Sequence, residues 1–490
     1  MRANFRANYY LYFFLFVYVF LLGMGLTNHE FWMDESHHWL IARDSNSLFD
    51  LFDNYRYDGH PMLWVFCLWV LACFTSKVVF VQVFHALIAV CTVALILFKA
   101  PFRKRYSILF IFGYYPLFEY GMLSRNYALT IFFLLLFCVF YEKNKSVLLP
   151  FFLLGLAANS HLFGFIFSVL LVAKIVYQEK KHLKRHLAAL GLFVLMALFA
   201  IITIKAPSDH FFYFNVARLF NFSSFGGVLS MWWKAICPIP DLMSTNFWNT
   251  NFLTVNYKLL GLLAVLFSWF LPLFVLKRKS SYYLIFYGYA GLLIGFCLLT
   301  GLNISQRIGG FLLFALVVLI WLEEKEYTEN PAIITINKTA KRVGLYLFLL
   351  VQLFSAGVFW AAEINRPFSN TKNIYQLLAE NIDKRTVVYA GLYCNYIGIN
   401  NYGDLKVYIS SQDQLKYCDW RTLKTNQGKV FWEEALNFMR LGQYDRVIVL
   451  RTEKVIHFDF PEYTISLLGQ FKNGMVKNEN AYIYVIKKRE

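Results

Sequence analysis

The sequence predicts an α-helical polytopic membrane protein that ends in a small α/β domain. Of its 490 residues, 58% are hydrophobic and only 16% are charged, and the mean hydropathy is +0.48. A soluble core of this length cannot bury that much apolar side chain. Most of the apolar runs are long enough to cross the roughly 30 Å hydrocarbon layer as helices, and they lack the alternation of a membrane β-barrel.

The apolar runs follow one another from the N-terminal region to residue 361. They cover about 9–26, 61–76, 78–98, 106–118, 127–141, 146–158, 161–177, 187–204, 256–276, 281–300, 307–322 and 342–361. As a helix the run at 61–76 reaches only about 24 Å. We therefore expect about eleven crossings, with 61–76 as a short or re-entrant element. In the alternative arrangement this run is part of a full hairpin, and one basic loop then lies on the opposite side.

The net charge of +17 is concentrated in short connectors between these runs, which argues for membrane topology rather than for a nucleic-acid partner. The basic residues in question are Arg2 and Arg6; Lys99, Arg103, Lys104 and Arg105; Lys143 and Lys145; Lys180, Lys181, Lys184 and Arg185; Lys277, Arg278 and Lys279; and Lys338, Lys341 and Arg342. The positive-inside rule places them on the cytoplasmic side together with the N-terminus. The expected location is the inner (cell) membrane of a bacterium. The extracytoplasmic parts are then 27–60, 119–126, 159–160, 205–255, 301–306 and everything after about 362.

We expect two domains, a transmembrane domain at 1–361 and an extracytoplasmic α/β domain at 362–490. In the second, the pattern predicts helices at Asn373–Asn381 and Trp432–Leu441, and strands at Thr386–Ala390, Arg446–Arg451 and Ala481–Lys487. It contains no glycine-rich phosphate loop and no metal-ligand cluster, so scaffolding or acceptor docking is the expected role. Whether Cys394 and Cys418 form a disulfide is left open by the sequence.

A short polar island lies between the first two apolar runs. It contains Trp32-Met33-Asp34-Glu35-Ser36-His37-His38, and Asp58-Gly59-His60-Pro61 closes the same loop. Carboxylates and imidazoles gathered at a membrane mouth are costly to hold there, which indicates chemistry. The structural alternatives are a helix N-cap for Asp34 and a turn at Asp58-Gly59.

The pattern within this loop predicts short amphipathic helices at 35–43 and 47–54. Their apolar side chains are expected to lie against the membrane and so to hold Asp34 at the water boundary. These side chains are Leu40, Ile41, Leu48, Phe49, Leu51 and Phe52.

These residues resemble motifs of the GT-C glycosyltransferases, in the branch of the protein O-mannosyltransferases and the lipid A aminoarabinose transferase. Asp34-Glu35 and Asp58-Gly59-His60-Pro61-Met62-Leu63 are similar to the Asp-Glu and Asp-x-His-Pro-Pro-Leu pattern of that branch. Ser124-Arg125-Asn126-Tyr127-Ala128-Leu129 is similar to its Ser-Arg-x-Tyr-Ala-Leu region, and Asn159-Ser160-His161 to a polar break between two helices. Met62 departs from the pattern, since a second proline is usual there, and Gly59 replaces a residue that is often bulkier. The motifs end near residue 180.

The resemblance implies transfer of a sugar from a polyprenyl-phosphate donor to a hydroxyl or phosphate acceptor on the extracytoplasmic face, by inverting displacement with a carboxylate base. Asp34 is the expected base. Adjacent helical residues point about 100° apart, so Glu35 is expected to orient or support it. Asp58 is expected to fix the tautomer of His60 or to hold the acceptor.

The leaving phosphate requires fixed cations or hydrogen-bond donors. Arg125 and Arg307 are the candidates, although interfacial arginines also snorkel to lipid headgroups. His60, Tyr127 and His161 complete the expected substrate- and phosphate-binding set. The expected partners are the donor lipid, an acceptor glycan, lipid or protein, and membrane lipids.

Three alternatives remain at this stage. A divalent metal could bind among the acids and histidines of the first loop, but their spacing matches no zinc signature and the resemblance implies no cofactor. A transporter or lipid flippase would place ionisable groups at mid-membrane or break helices in paired halves. A polysaccharide polymerase or ligase would use acids and arginines of the large loop at 205–255, where Asp209, Arg218 and Asp241 are the candidates.

Overall fold

The structure is a computed structural model that describes residues 9–142, 145–180, 183–207, 215–276, 280–302, 306–328, 338–390, 393–408 and 429–489. The part up to residue 365 is helical. Its α-helices are α1 (Tyr9–Leu26), α2 (Met33–Asp44), α3 (Leu48–Tyr55), α4 (Leu63–Ala72), α5 (Val78–Phe98), α6 (Lys104–Ile111), α7 (Asn126–Phe140), α8 (Leu148–Ser160), α9 (Leu162–Gln178), α10 (Leu183–Ile204), α11 (Phe222–Ile236), α12 (Phe252–Asn256), α13 (Lys258–Ser268), α14 (Leu271–Val275), α15 (Ser280–Thr300), α16 (Gln306–Thr328) and α17 (Lys338–Asn365).

Five helices of the described part are long and apolar enough to cross a membrane, and several shorter apolar helices pack among them. The five long segments are Tyr9–Leu26, Val78–Phe98, His186–Ile204, Ser281–Thr300 and Arg342–Asn365. The predicted class, a helical polytopic membrane protein with a small C-terminal α/β domain, is confirmed. The number of crossings and the side on which each loop lies stay predictions.

Three of the predicted apolar runs differ in shape from a continuous crossing, and one of them, 256–276, is divided between α13 and α14. The run at 61–76 forms the ten-residue helix α4, which at 1.5 Å per residue spans about 15 Å and is too short to cross. The run at 106–118 is interrupted at Gly113, where α6 gives way to a π-helix at Tyr114–Glu119. A side chain at Gly113 would lie 3.2 Å from Cβ of Gln352, so α17 packs closely against this break.

The predicted amphipathic helices of the first loop are present as α2 and α3, but part of the expected membrane contact is wrong. Leu40, Ile41 and Leu51 are fully buried in protein, whereas Leu48 and Phe49 are exposed. Leu40 packs into the core of the C-terminal domain, and Ile41 packs with residues of α4 and α5. Helix α2 is therefore held between the membrane part and the C-terminal domain.

The C-terminal domain is a five-stranded mixed sheet with helices on both faces. The strands are β1 (Thr386–Ala390), β2 (Val407–Tyr408), β3 (Arg446–Arg451), β4 (Tyr463–Phe471) and β5 (Ala481–Lys488), and the helices are α18 (Thr371–Asn381) and α19 (Lys429–Arg440). The strand order is β2-β1-β3-β5-β4, with β1 parallel to β2 and β3, and β5 antiparallel to β3 and β4.

Alternate side chains of β1 and β3 face opposite sides of this sheet. Val388 and Ile448 pack with α18, whereas Val387 and Val447 pack with α19. The predicted strands β1, β3 and β5 and both predicted helices are thus present. Cys418, the possible disulfide partner of Cys394, lies outside the described residues.

Candidate active site at the mouth of the helical domain

Helix α2 begins directly after Trp32, so Asp34 and Glu35 lie in its first turn. Carboxylates are favoured there by the free backbone N–H groups and the positive end of the helix dipole. The N-cap interpretation of Asp34 is wrong, because Asp34 is the second helical residue and Trp32 precedes the helix. The carboxylate of Asp34 therefore does not cap its own helix and is available for other contacts.

The carboxylate of Asp34 contacts two arginines from distant parts of the chain. Nη1 of Arg307 donates to Oδ2 of Asp34 at 2.6 Å, and Nη2 of Arg125 lies 3.9 Å from the same oxygen. Arg125 also donates from Nη1 to the backbone oxygen of Asp34 at 2.6 Å. Among the described residues both guanidinium contacts are to Oδ2, and none is to Oδ1. One face of the carboxylate is thus left for a substrate.

Charge sets the protonation of Asp34. Burial raises the pKa of Asp34, but the guanidinium groups of Arg307 and Arg125 outweigh burial and hold that pKa below its usual range. Asp34 is therefore an anion at neutral pH. Of the two arginines, Arg125 is almost fully enclosed, with 5% of its side chain exposed, whereas 21% of Arg307 is exposed. Arg307 is the cation that an incoming anion can reach.

Two tryptophans hold the guanidinium of Arg307. Its Cζ lies 4.8 Å from the ring centre of Trp32 and 5.8 Å from that of Trp248, and the two rings meet edge to face at 4.7 Å. The indole N–H of Trp248 donates to Oε2 of Glu119 at 3.0 Å. Cation–π contacts of this kind stabilise a guanidinium and fix its plane. Trp248 lies in the loop at 205–255, and sequence reasoning did not select it.

Glu35 lies away from this cluster and joins three segments of the chain. Its oxygens accept from Nε2 of His29 at 3.0 Å and from the backbone N–H groups of Trp32 at 3.3 Å and Ser124 at 2.5 Å. Nδ1 of His29 contacts Glu363 at 3.0 Å. Burial lowers the pKa of His29, but the two carboxylates outweigh it and hold the pKa well above its usual value. This arrangement agrees with a supporting position for Glu35.

Three imidazoles surround the carboxylate of Asp58. Oδ2 lies 3.0 Å from Nε2 of His38 and 2.9 Å from Nδ1 of His60, and Oδ1 lies 3.2 Å from Nε2 of His37. Burial raises the pKa of Asp58, but its interactions with these histidines hold it well below the usual range. Nη1 of Arg125 lies 3.2 Å from Nε2 of His38. The acids at the two ends of the first loop are thus joined through Arg125 and His38.

His60 connects Asp58 to the remaining aromatic candidates. Its ring lies 4.9 Å from the ring of His161, which in turn lies 5.3 Å from Tyr127 and 4.5 Å from Phe311. With Nδ1 donating to Asp58, a neutral His60 carries an acceptor at Nε2. Nδ1 of His161 accepts from the backbone N–H of Phe163 at 3.0 Å, so His161 caps α9 and its Nε2 carries the proton. Of these two imidazoles, His161 is the one suited to donate to a phosphate.

The structure brings most of the predicted candidates together. Asp34, Asp58, His60, Arg125, Tyr127, His161 and Arg307 form one connected set, whereas Glu35 faces the supporting network. No group of three or more His, Cys, Asp or Glu side chains in the described ranges is arranged to hold a metal ion. Of the polymerase candidates, Asp209 lies outside the described residues, and Asp241 accepts at 3.2 Å from Asn256, the last residue of α12.

The protonation of His38 leads to a first prediction, on stability. Burial and then the Arg125 guanidinium lower the pKa of His38 to about 3, against the opposing pull of Asp58. Between pH 6.5 and pH 3 the unfolded chain therefore binds a proton at His38 that the folded protein does not. Stability should fall with decreasing pH by about 1.4 kcal/mol per pH unit from this residue.

In thermal unfolding from pH 7 to pH 4.5, the melting temperature of His38→Gln should consequently fall less steeply than that of the wild type. The control is His457→Gln, at an exposed histidine of the C-terminal domain. His38, His37 and His60 all face Asp58, and Arg125 faces His38. Equal slopes for wild type and His38→Gln would mean that His38 is not held neutral in the folded protein.

The fold and site together define a class: a helical membrane protein with an acid, arginine and imidazole centre where the first loop, the large loop and the C-terminal domain meet. No family model and no curated protein matches the sequence significantly. Among solved structures it is similar to the crystal structure of ArnT from Cupriavidus metallidurans bound to undecaprenyl phosphate, with 10% identity, 98% of each chain covered and a TM-score of 0.47. That likeness is too low to assign a family or an activity.

Proposed function

We propose that the protein is a membrane glycosyltransferase that moves a sugar from a polyprenyl-phosphate donor to a hydroxyl or phosphate acceptor on the extracytoplasmic face. The observation that carries this proposal is the convergence of Arg125 and Arg307 on one carboxylate of the first loop. Of the two guanidinium groups, that of Arg307 is 21% exposed and can meet an incoming anion. Such a cation, beside membrane-spanning helices, suits a phosphate attached to a lipid.

The phosphate of the donor is expected to bind at Arg307. Guanidinium groups bind phosphate oxygens with two parallel hydrogen bonds, and such charge-assisted bonds are among the strongest in proteins. The rings of Trp32 and Trp248 fix the plane of the Arg307 guanidinium, so little side-chain freedom is lost on binding. Arg125 is enclosed and already donates to the backbone of Asp34, so its charge acts mainly on the field within the site.

Asp34 then acts as the base. An acceptor O–H gives its proton to the Asp34 carboxylate while its oxygen attacks the anomeric carbon of the sugar. The bond from that carbon to the phosphate oxygen breaks on the opposite face, and polyprenyl phosphate leaves with inversion. Binding of phosphate by Arg307 weakens the pull of that arginine on Asp34, so the pKa of Asp34 rises towards its usual range when the donor is present. Base strength is thereby coupled to donor binding.

The second acid of the site is Asp58, which is paired with His60. A neutral His60 with its proton on Nδ1 presents Nε2 as an acceptor, so it holds the acceptor hydroxyl or competes with Asp34 as the base. His161 has its proton on Nε2 instead and can donate a hydrogen bond from that atom. We assign the base to Asp34, because its Oδ1 has no hydrogen bond or ion pair with the described residues and its Oδ2 accepts from Arg307, the proposed phosphate-binding residue.

The test is a transfer assay with the purified full-length protein in liposomes. A panel of radiolabelled polyprenyl-phosphate sugars is added, and release of label from the lipid is followed with and without candidate acceptors. The proposal expects label to leave the lipid for at least one sugar, with free polyprenyl phosphate as the second product. This release of label should require Asp34 but not Asp53, an aspartate of the same loop whose side chain is 71% exposed.

Other outcomes distinguish the alternative functions. Movement of intact labelled lipid across the bilayer, with the sugar–phosphate bond unbroken, would indicate a transporter or flippase. Growth of a long saccharide chain would indicate a polymerase. Absence of any reaction across the panel, from protein that is folded and correctly inserted, would count against the proposed function.

A further inference from the structure

A turn of the C-terminal domain reaches into the candidate active site. This turn, residues 474–480, includes a short 3-10 helix at Lys477–Glu479 and precedes strand β5. The side chain of Glu479 is completely buried, and its Oε1 accepts from the backbone N–H of Met33 at 2.5 Å. Met33 is the first residue of α2 and adjoins Asp34. A carboxyl group from the other end of the chain thus caps the helix that carries the proposed base.

The same turn holds the loop that carries Trp248. Nδ2 of Asn246 donates to the backbone oxygen of Gly474 at 2.6 Å, and the side chains of Asn246 and Asn480 contact each other at 3.0 and 3.2 Å. Asn246 is two residues from Trp248, whose ring lies against Arg307. The 474–480 turn is therefore linked to Asp34 through α2. It is linked to Arg307 through the loop that carries Asn246 and Trp248.

The outward face of α2 is bonded to the C-terminal domain along its length. Oγ of Ser36 accepts from Asn401 at 2.7 Å, and Nη1 of Arg43 donates to the backbone oxygen of Asn400 at 3.0 Å. Between them Leu40 packs in the same cluster as Ile374 and Leu378 of α18. The helix cannot shift relative to the membrane part without also breaking contacts to this domain.

We propose that Glu479 is a positioning residue, through which the C-terminal domain sets the placement of Asp34 relative to Arg307. The domain then completes the active site instead of serving only as a scaffold or an acceptor-docking module. The effect on turnover rests on the function proposed above, whereas the effect on α2 does not. A role in positioning predicts that Glu479 acts through Asp34 and has no separate contribution to the reaction.

The chemistry of Glu479 identifies the informative substitutions. Burial raises the pKa of Glu479 to about 8, so at neutral pH the side chain is an uncharged acceptor. Glu479→Gln keeps an acceptor of the same shape, whereas Glu479→Leu fills similar space without one. The matched control is Tyr389→Phe, which removes a 2.6 Å hydrogen bond to Glu434 within the same domain and touches neither α2 nor the 474–480 turn.

The first measurement is amide hydrogen exchange of the full-length protein in nanodiscs at pH 7. In Glu479→Leu the amides of residues 33–36 should exchange about tenfold faster than in the wild type, the effect of losing one helix cap. Glu479→Gln and Tyr389→Phe should leave them unchanged. Wild-type exchange at 33–36 in Glu479→Leu would overturn the inference, whether or not the protein transfers sugar.

The second measurement is steady-state transfer. Glu479→Leu should lower kcat about tenfold with little change in the KM for donor, since it displaces the base but leaves Arg307. Added to Asp34→Asn it should lower kcat no further. An equal additional loss in the Asp34→Asn background would show that Glu479 does not act through Asp34 and would also overturn the inference.

A second variant guards against misfolding of Glu479→Leu. Asn246→Ala removes the contact of the tryptophan loop with the 474–480 turn and leaves Glu479 in place. It should raise the KM for donor several-fold with normal exchange in α2. An unchanged KM would contradict the role of the turn at the Arg307 side. A further outcome is that the wild type shows no transfer while Glu479→Leu still speeds amide exchange at residues 33–36. In that case the proposed function fails, and the positioning of α2 by Glu479 stands.

Discussion

Asp34→Asn is expected to abolish sugar transfer while donor binding persists. Asparagine has nearly the same shape as aspartate but cannot take the proton of the acceptor hydroxyl, and loss of a general base lowers kcat by about 10² to 10⁴. Both arginines would remain in place with less negative charge beside them, so the donor phosphate should bind at least as tightly. The measurements are single-turnover transfer and thermal stabilisation by polyprenyl phosphate in the same preparation.

Two further variants make this result specific. Asp53→Asn removes one negative charge from the same loop at an exposed position paired with Arg56, and should transfer at the wild-type rate. His60→Gln removes the competing base, and should lower the rate less than Asp34→Asn does. A wild-type rate for Asp34→Asn would show that Asp34 is not the base. A larger loss in His60→Gln than in Asp34→Asn would move that assignment to the Asp58–His60 pair.

Much of the fold follows from local patterns in the sequence. The apolar runs identify the long helices because an uncharged stretch of such length has no other stable environment than lipid or a large core. Strands β1, β3 and β5 are buried on both faces and therefore appear as short continuous apolar runs. Strand β4 is an edge strand with only Tyr463 buried, and it was not predicted, although its alternation of apolar and polar residues is typical of a half-buried strand. The break at Gly113 depends on packing against α17, which no local pattern records.

The candidate site could be predicted in part for the same reason. Asp34 and Asp58 are conspicuous because charged groups beside two apolar runs are costly to hold there and therefore indicate a function. Their supporting partners come from far along the chain and are ordinary in their local context. Glu363 lies near the end of a helix, Trp248 in the long segment at 205–255 and Glu479 in a polar turn. Only the tertiary structure brings them to α2, so sequence reasoning could assign the acids but not the groups that hold them.

Arg307→Lys is expected to weaken donor binding. It should raise the KM for donor, whereas Asp34→Asn lowers kcat and leaves donor binding intact. Lysine keeps the positive charge but not the planar group that binds a phosphate with two hydrogen bonds and packs between Trp32 and Trp248. Loss of one charge-assisted hydrogen bond corresponds to about 1.5 to 3 kcal/mol, so the KM for donor should rise roughly 10- to 100-fold. Arg307→Ala should raise it further. The dependence of initial rate on donor concentration measures both effects.

The matched control is Arg56→Lys, because Arg56 also lies over an aromatic ring, that of Phe52 at 5.6 Å, and pairs with an aspartate of the first loop. It should leave the KM for donor unchanged. If Arg307 only reached lipid headgroups, both lysine variants would behave alike, since lysine snorkels as well as arginine does. A donor KM raised in Arg307→Lys alone therefore requires a planar, oriented guanidinium at this position. That requirement is what distinguishes a phosphate-binding arginine from an interfacial one.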